Sequence, residues 1–197
     1  MKSTKIFLIM VISLIIPAAS GCGGKSVYIA PDSVTKFDDS YSDTDLRIMA
    51  EQMTRSLMQT PKVARATQPL IVAILEIQNK TTQHINTEDI TDKLMMAMLK
   101  TGRMRFVDRN LLKESAKELA LSATGAIDPA QAKRLGKMVA ADLLLTGEIT
   151  SINKENARAS MTYYRLSLHL TDLETNEIIW ADETEIKKLS KKGFEDW

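Results

Sequence analysis

Residues 69–77 read "PLIVAILEI", a nearly continuous apolar run in which Ile71, Val72 and Ile74 are β-branched. A strand this apolar has no side to show to water, so it belongs inside a sheet with cover on both faces. A second run, "DLLLTGEI" at residues 142–149, has the same character. Segments of helical period supply the cover. In "SDTDLRIMAEQMTRSLMQTP" (42–61), Leu46, Met49, Ala50, Met53 and Leu57 fall on one face. Ser42 is placed to cap its start, with Asp43 and Asp45 at the positive end of the helix. Asn86 caps a second helix, with Glu88 and Asp89 in its first turn, an apolar stripe of Ile90, Leu94, Ala97 and Met98, and a stop at Gly102. "RMRFVD" (103–108) is a short strand. A third helix covers residues 110–121. A fourth starts at Asp128 with Pro129 in its first position and buries Ala132, Leu135 and Val139. Tyr164, Leu166, Leu168 and Leu170 alternate with Arg165, Ser167, His169 and Thr171, which marks a half-exposed strand. "LETNE" then turns the chain into "IIWADET". The expected fold is α/β: a mixed four- to five-stranded sheet with helices packed on it and a C-terminal β-hairpin.

The N-terminal fifth follows different rules. Lys2 and Lys5 precede the apolar residues 6–16, "IFLIMVISLII", and small or turn-forming residues 17–21 follow. That is the layout of an export signal. The apolar stretch rises only about 16 Å as a helix, roughly half a hydrocarbon core, and is too short to span. It ends in "AASGC", whose Cys22 is the single cysteine of the 197 residues. A lone thiol cannot close an intramolecular disulfide. With only His84 and His169 besides it, it is also a poor start for a zinc site. The stretch resembles a bacterial lipobox, in which cleavage falls between Gly21 and Cys22, the thiol takes a diacylglycerol and the new amine is usually acylated. An ordinary cleaved signal with an incidental cysteine is the competing reading. Residues 23–41, "GGKSVYIAPDSVTKFDDSY", keep no sustained period and read as a tether. The expected organisation is a signal peptide over 1–21, a lipidated tether over 22–41 and one globular domain over 42–197.

The formal charge of the whole chain is +1, and no cluster of cations points to nucleic acid. No P-loop, dinucleotide fingerprint or nucleophile elbow is present. His84 lies in a polar loop and His169 faces outward on a strand, each without a local partner. Glu88 and Asp89 serve a helix start better than acid–base chemistry, and Asp182 and Glu183 point to opposite faces of a strand. The chain reads as a non-enzyme with no cofactor, no metal and no small-molecule substrate.

Four stretches carry a resemblance: "IVAILEIQNKTTQHIN" (71–86) with its Asn79-Lys80-Thr81 turn, "LMMAMLKTGRMRFVDR" (94–109), "AKRLGKMVAADLLLTGEI" (132–149) and "LHLTDLETNEIIWADE" (168–183). In this order, after a lipobox, they resemble the outer-membrane lipoprotein activators of bifunctional penicillin-binding proteins, the LpoB-type family. The resemblance implies a lipid-anchored protein that faces the periplasm and binds a regulatory domain of a peptidoglycan synthase, favouring its active state. Similar segments occur in curli-type secretion lipoproteins, so an envelope-assembly component is the alternative. The family's best-known type has a long, proline-rich tether, whereas the one here is short with only Pro31. The loop 79–86 is the expected partner surface, with Asn79, Lys80, Thr81 and His84 as its candidate residues.

Cys22→Ala should leave the precursor unlipidated. Metabolic labelling with a palmitate analogue checks this, and undiminished label on the variant would remove the lipoprotein reading. Gly23 follows the cysteine, not the aspartate that retains lipoproteins in the inner membrane of enteric bacteria, so outer-membrane sorting is expected.

Overall fold

The computed structural model describes residues 28–30, 33–34, 39–119 and 128–191. Gly21, Cys22 and the expected signal peptide lie outside them. Two units separate along the chain, before and after residue 33. In the first, the Ser33 amide and hydroxyl both donate to the Ala30 carbonyl, closing one turn.

The second unit has the elements α1 (Asp43–Met58), α2 (Pro61–Ala64), β1 (Leu70–Ile74), β2 (Gln78–Lys80), α3 (Thr87–Leu99), β3 (Met104–Phe106), α4 (Arg109–Glu118), α5 (Pro129–Val139), β4 (Leu143–Glu155), β5 (Ala159–Asp172) and β6 (Ile178–Lys191). They form the mixed α/β sheet expected, with six strands among the described residues. The order is β3-β1-β4-β5-β6, and β2 pairs with β4 beyond the end of β1. That sixth strand is only "QNK", whose polar residues hide it in the sequence; its backbone is what pairs, Asn79 opposite Ile149. β1 is parallel to β3 and β4, whereas β4, β5 and β6 form an antiparallel meander.

The starts of the helices follow the capping chemistry. Ser42 and Asp45 form a reciprocal capping box on α1. The Asn86 side chain accepts from the Glu88 amide at the start of α3. Asp108 caps α4 by accepting from Asn110 and Leu111, so that helix starts at Arg109. Asp128 sits at the cap position of α5 without a side-chain bond, and Pro129 alone sets that start.

Alternation along β1 and β4 divides the core in two. Val72, Ile74, Leu143 and Leu145 meet Met49, Met53 and Leu57 of α1 and Ile90, Leu94 and Met98 of α3. On the other face Ala73 and Leu144 meet Leu112 of α4 and Leu135 and Val139 of α5. Trp180 is half-buried against the first core, with its indole N–H donating to Ser56 Oγ at 3.1 Å. It is a packing residue. Tyr41, assigned above to the tether, also packs on this core, and the Asp39 carbonyl accepts from the core residue Tyr164.

Gly147 lies opposite Leu168 in the β4–β5 ladder. A Cβ there would stand 2.3 Å from the Ser167 carbonyl oxygen and 2.4 Å from Leu168 Cδ2. Neither backbone can retreat without breaking the ladder. Gly147→Ala should therefore cost about 2–3 kcal/mol, read as a lowered urea midpoint. An unchanged midpoint would mean that the two strands have slack at this position.

Candidate functional site

The loop after β2 is built by two of the four candidate residues. The Asn79 amide donates to the carbonyls of Gln83 (2.9 Å) and Ile85 (3.3 Å), and its oxygen accepts from the Thr81 amide (2.9 Å) and hydroxyl (2.7 Å). Thr81 Oγ1 in turn accepts from the Gln83 amide at 3.2 Å. Asn79 and Thr81 thus spend their hydrogen-bonding groups on the loop itself. They give it one shape and leave little for a partner. Lys80 and His84 are exposed on it. Lys80 Nζ lies 3.8 Å from Glu148, an open pair that contributes little. His84 has no hydrogen-bond partner among the described residues. The four candidates therefore divide into two that build and two that present.

Residues that the sequence reading missed hold this loop to the sheet. Tyr164, fully buried on β5, has its hydroxyl 2.7 Å from Gln83 Oε1 and 3.1 Å from the Asp39 carbonyl. One proton thus serves two acceptors, one in the loop and one in the segment that leads in from the N-terminus. Asp39 Oδ2 accepts from Ser160 (2.5 Å) and Thr162 (2.7 Å) on β5. The Tyr41 ring packs edge-on against Tyr164, centroids 5.6 Å apart. Its own hydroxyl is buried without a partner. Lys188 on β6 bonds the Ser40 carbonyl and pairs with Asp45 at 2.9 Å, both side chains nearly buried. Asn153 of β4 donates to Thr82 at 2.9 Å. The result is a docked strap, residues 39–41, beside an ordered loop, with Tyr164 and Gln83 between them. Only the odd placement of a tyrosine in the apolar phase of β5 could have signalled it.

The electrostatics match this geometry. Hydrogen bonds from Ser160 and Thr162 hold the Asp39 carboxyl below its usual range. Burial pushes the Tyr164 phenol up to about 12, and burial raises Tyr41 as well. Both phenols stay neutral and act as hydrogen-bonding and packing groups. Among the described residues no cluster of His, Cys, Asp and Glu could hold a metal ion, and no helix is long and apolar enough to cross a membrane. His169 lies half-exposed on the outer face of β5. Glu88 pairs with Lys113 at 3.0 Å, bridging α3 to α4. What the arrangement can do is present a fixed polar surface beside the incoming chain.

The fold is an α/β domain with one mixed sheet and helices packed on both of its faces. It superposes on the C-terminal domain of LpoB from Salmonella enterica (TM-score 0.56, 20% identity, 72% of this chain and 98% of that one). It also matches LpoB of Escherichia coli (TM-score 0.54, 17% identity, 90% and 87%) and the lipoprotein GNA1162 of Neisseria meningitidis (TM-score 0.50, 16% identity, 62% and 85%). At these identities the likeness is one of fold. No curated protein matches the chain. The family model of the peptidoglycan-synthase activator LpoB matches residues 45–186, nearly the whole folded unit, and the chain belongs to the LpoB family.

Two outcomes follow from the junction. Tyr164→Phe removes the shared proton and should loosen strap and loop together, raising amide exchange at residues 39–41 and 81–85 by an amount equivalent to about 1–2 kcal/mol. A response confined to one segment would show that the two are not coupled. The depressed carboxyl of Asp39 gives the strap an acid limit. Its stabilisation is complete above the ordinary value of 3.8 and is lost as pH falls through the lower folded value. Amide shifts of residues 39–41 should thus move toward solvent-exposed values only below about pH 4, and Asp39→Asn should weaken the strap at neutral pH.

Proposed function

We propose that this chain is an outer-membrane lipoprotein, anchored through Cys22, that binds a bifunctional peptidoglycan synthase in the periplasm and favours its active state. The observation that carries the reading is the match of the synthase-activator family model across residues 45–186. It acts by binding and contributes no bond-breaking step of its own. To activate, it must bind the active state of the synthase better than the inactive one. The partner is the synthase's regulatory domain, and the surface offered to it is the loop 79–86, with Lys80 and His84 outward and Asn79 and Thr81 holding the shape.

The docked strap sharpens the question of reach. With residues 39–41 fixed to the domain, only residues 23–38 can separate it from the lipid, at most about 55 Å when fully extended and near 23 Å when relaxed. The synthase must then project its regulatory domain outward through the wall. Deleting residues 33–37 should weaken rescue of a null strain while leaving affinity in solution unchanged. Full rescue would mean that the protein works close to its own membrane, which favours the envelope-assembly reading.

A photoreactive residue at position 84 should capture the synthase in living cells, and one at position 117, on exposed α4, should not. Capture from position 117 alone would move the interface to the other face of the sheet. Capture of secretion or assembly components from position 84 would replace the synthase reading.

A further inference from the structure

At the end of the sheet opposite the loop, an open cleft of about 910 Å³ lies between the turn from α2 into β1 and the last turns of α5. Five cationic side chains line it, from Lys62, Arg65, Arg105, Lys133 and Lys137. Three carboxylates share it, and two of these are already engaged. Asp172 pairs with Lys62 and accepts from the amides of Glu174 and Thr175. These contacts outweigh its burial and keep it ionised. Asp142 accepts from the Ile71 amide at 2.8 Å. Lys133 spends one donor on the Glu174 carbonyl. The side chains of Arg65, Arg105 and Lys137 have no hydrogen-bond or ion-pair partner among the described residues. Folding has therefore brought unneutralised cations from three separate elements into one concavity.

The walls are fixed. Arg103 donates to the carbonyls of Ala64 and Ala66, clamping the turn that carries Arg65. Arg105 sits on β3 in register with Ile71. α5 lies against the Leu173 turn with so little room that a Cβ on Gly136 would come 2.7 Å from Leu173 Cδ1. Lys137 is thus carried by a helix packed directly against the Leu173 turn. The negative end of the α5 dipole opposes an anion here, and Lys137 in its last turn offsets this. Thr67 and Gln68, in the turn between, have amides with no partner among the described residues.

We propose that this cleft binds a phosphate ester. Two guanidinium forks and an ammonium suit the several oxygens of a phosphate better than one planar carboxylate. The cleft holds two more cations than carboxylates, and a phosphomonoester carries a charge of about −1.5 to −2 at neutral pH. The cleft is also larger than one phosphate needs, which leaves room for the organic part of an ester. A free phosphomonoester and the phosphodiester of a lipid headgroup share this chemistry. The site lies away from the loop 79–86 and stands whether or not that loop meets a synthase.

The test is a titration of the full-length protein in neutral detergent, at physiological salt, followed by calorimetry and by backbone amide shifts. The probes are inorganic phosphate, glycerophosphoglycerol as a soluble headgroup, and malonate. Saturable phosphate or glycerophosphoglycerol binding in the millimolar range or tighter is expected, with shifts centred on residues 65–71, 105 and 137. Arg105→Gln should weaken it roughly tenfold or more, and Arg65→Gln likewise. Both side chains are exposed and bond to nothing among the described residues, so the variants should keep the parent melting temperature, which is checked alongside. Tighter phosphate binding would assign the site to a free phosphate ester, and tighter glycerophosphoglycerol binding to a lipid headgroup. Malonate binding as tight as phosphate, affinity unchanged in both variants, or no saturable binding would overturn the proposal.

Discussion

β1 and β4 lie side by side with apolar side chains on both faces, and no arrangement of them is stable until helices cover each side. Val72 and Leu145 face one core, Ala73 and Leu144 the other, with exposures of 4% or less for all four. This constraint dictates the path of the chain. It leaves β1 through α3 on one face to reach β3, then returns through α4 and α5 on the opposite face to reach β4. Crossovers of the same hand in opposite directions place their helices on opposite faces. The requirement relaxes beyond Leu144, where α4 and α5 no longer reach. There β5 alternates strictly, with Leu166, Leu168 and Leu170 inward and Arg165, Ser167 and His169 outward.

Tyr164 breaks that alternation in chemistry but not in phase. It occupies an inward position, and its hydroxyl meets the place where the chain enters the domain and the place where the loop after β2 turns. Lys188 and Asp45 add a nearly buried ion pair beside it, tied to the start of α1 by the capping box. Removing one member would leave the other charge without a partner in poor solvent. The entry of the chain is therefore a built joint between helix, edge strand and loop.

The fold was largely legible because its signals are local. Capping residues Ser42 and Asn86, the apolar runs and the alternation of β5 each act within a few residues and each reappears in place. β2 was not legible, since "QNK" has no apolar pattern and is held to β4, some seventy residues on, mainly by its backbone. The strap was missed for a similar reason. Asp39 and Tyr41 look like tether residues until Ser160, Thr162 and Tyr164 are brought beside them by pairing at a distance. The expected Asn79-Lys80-Thr81 turn is displaced, because Asn79 and Lys80 end strand β2 and the bend begins at Thr81, with the side chains of Asn79 and Thr81 bonded within the loop. The basic cleft joins residues from 62 to 174, and no single stretch of sequence shows it.

The central claim is that this domain acts on a synthase through binding alone. The most direct measurement is the rate at which the purified bifunctional synthase of the same cell polymerises glycan strands and cross-links them, with and without the purified protein. The account predicts that both rates rise with concentration to a plateau, and that the rise is lost when Lys80 and His84 are replaced together. Rates that stay flat across a range in which the two proteins demonstrably bind would contradict it.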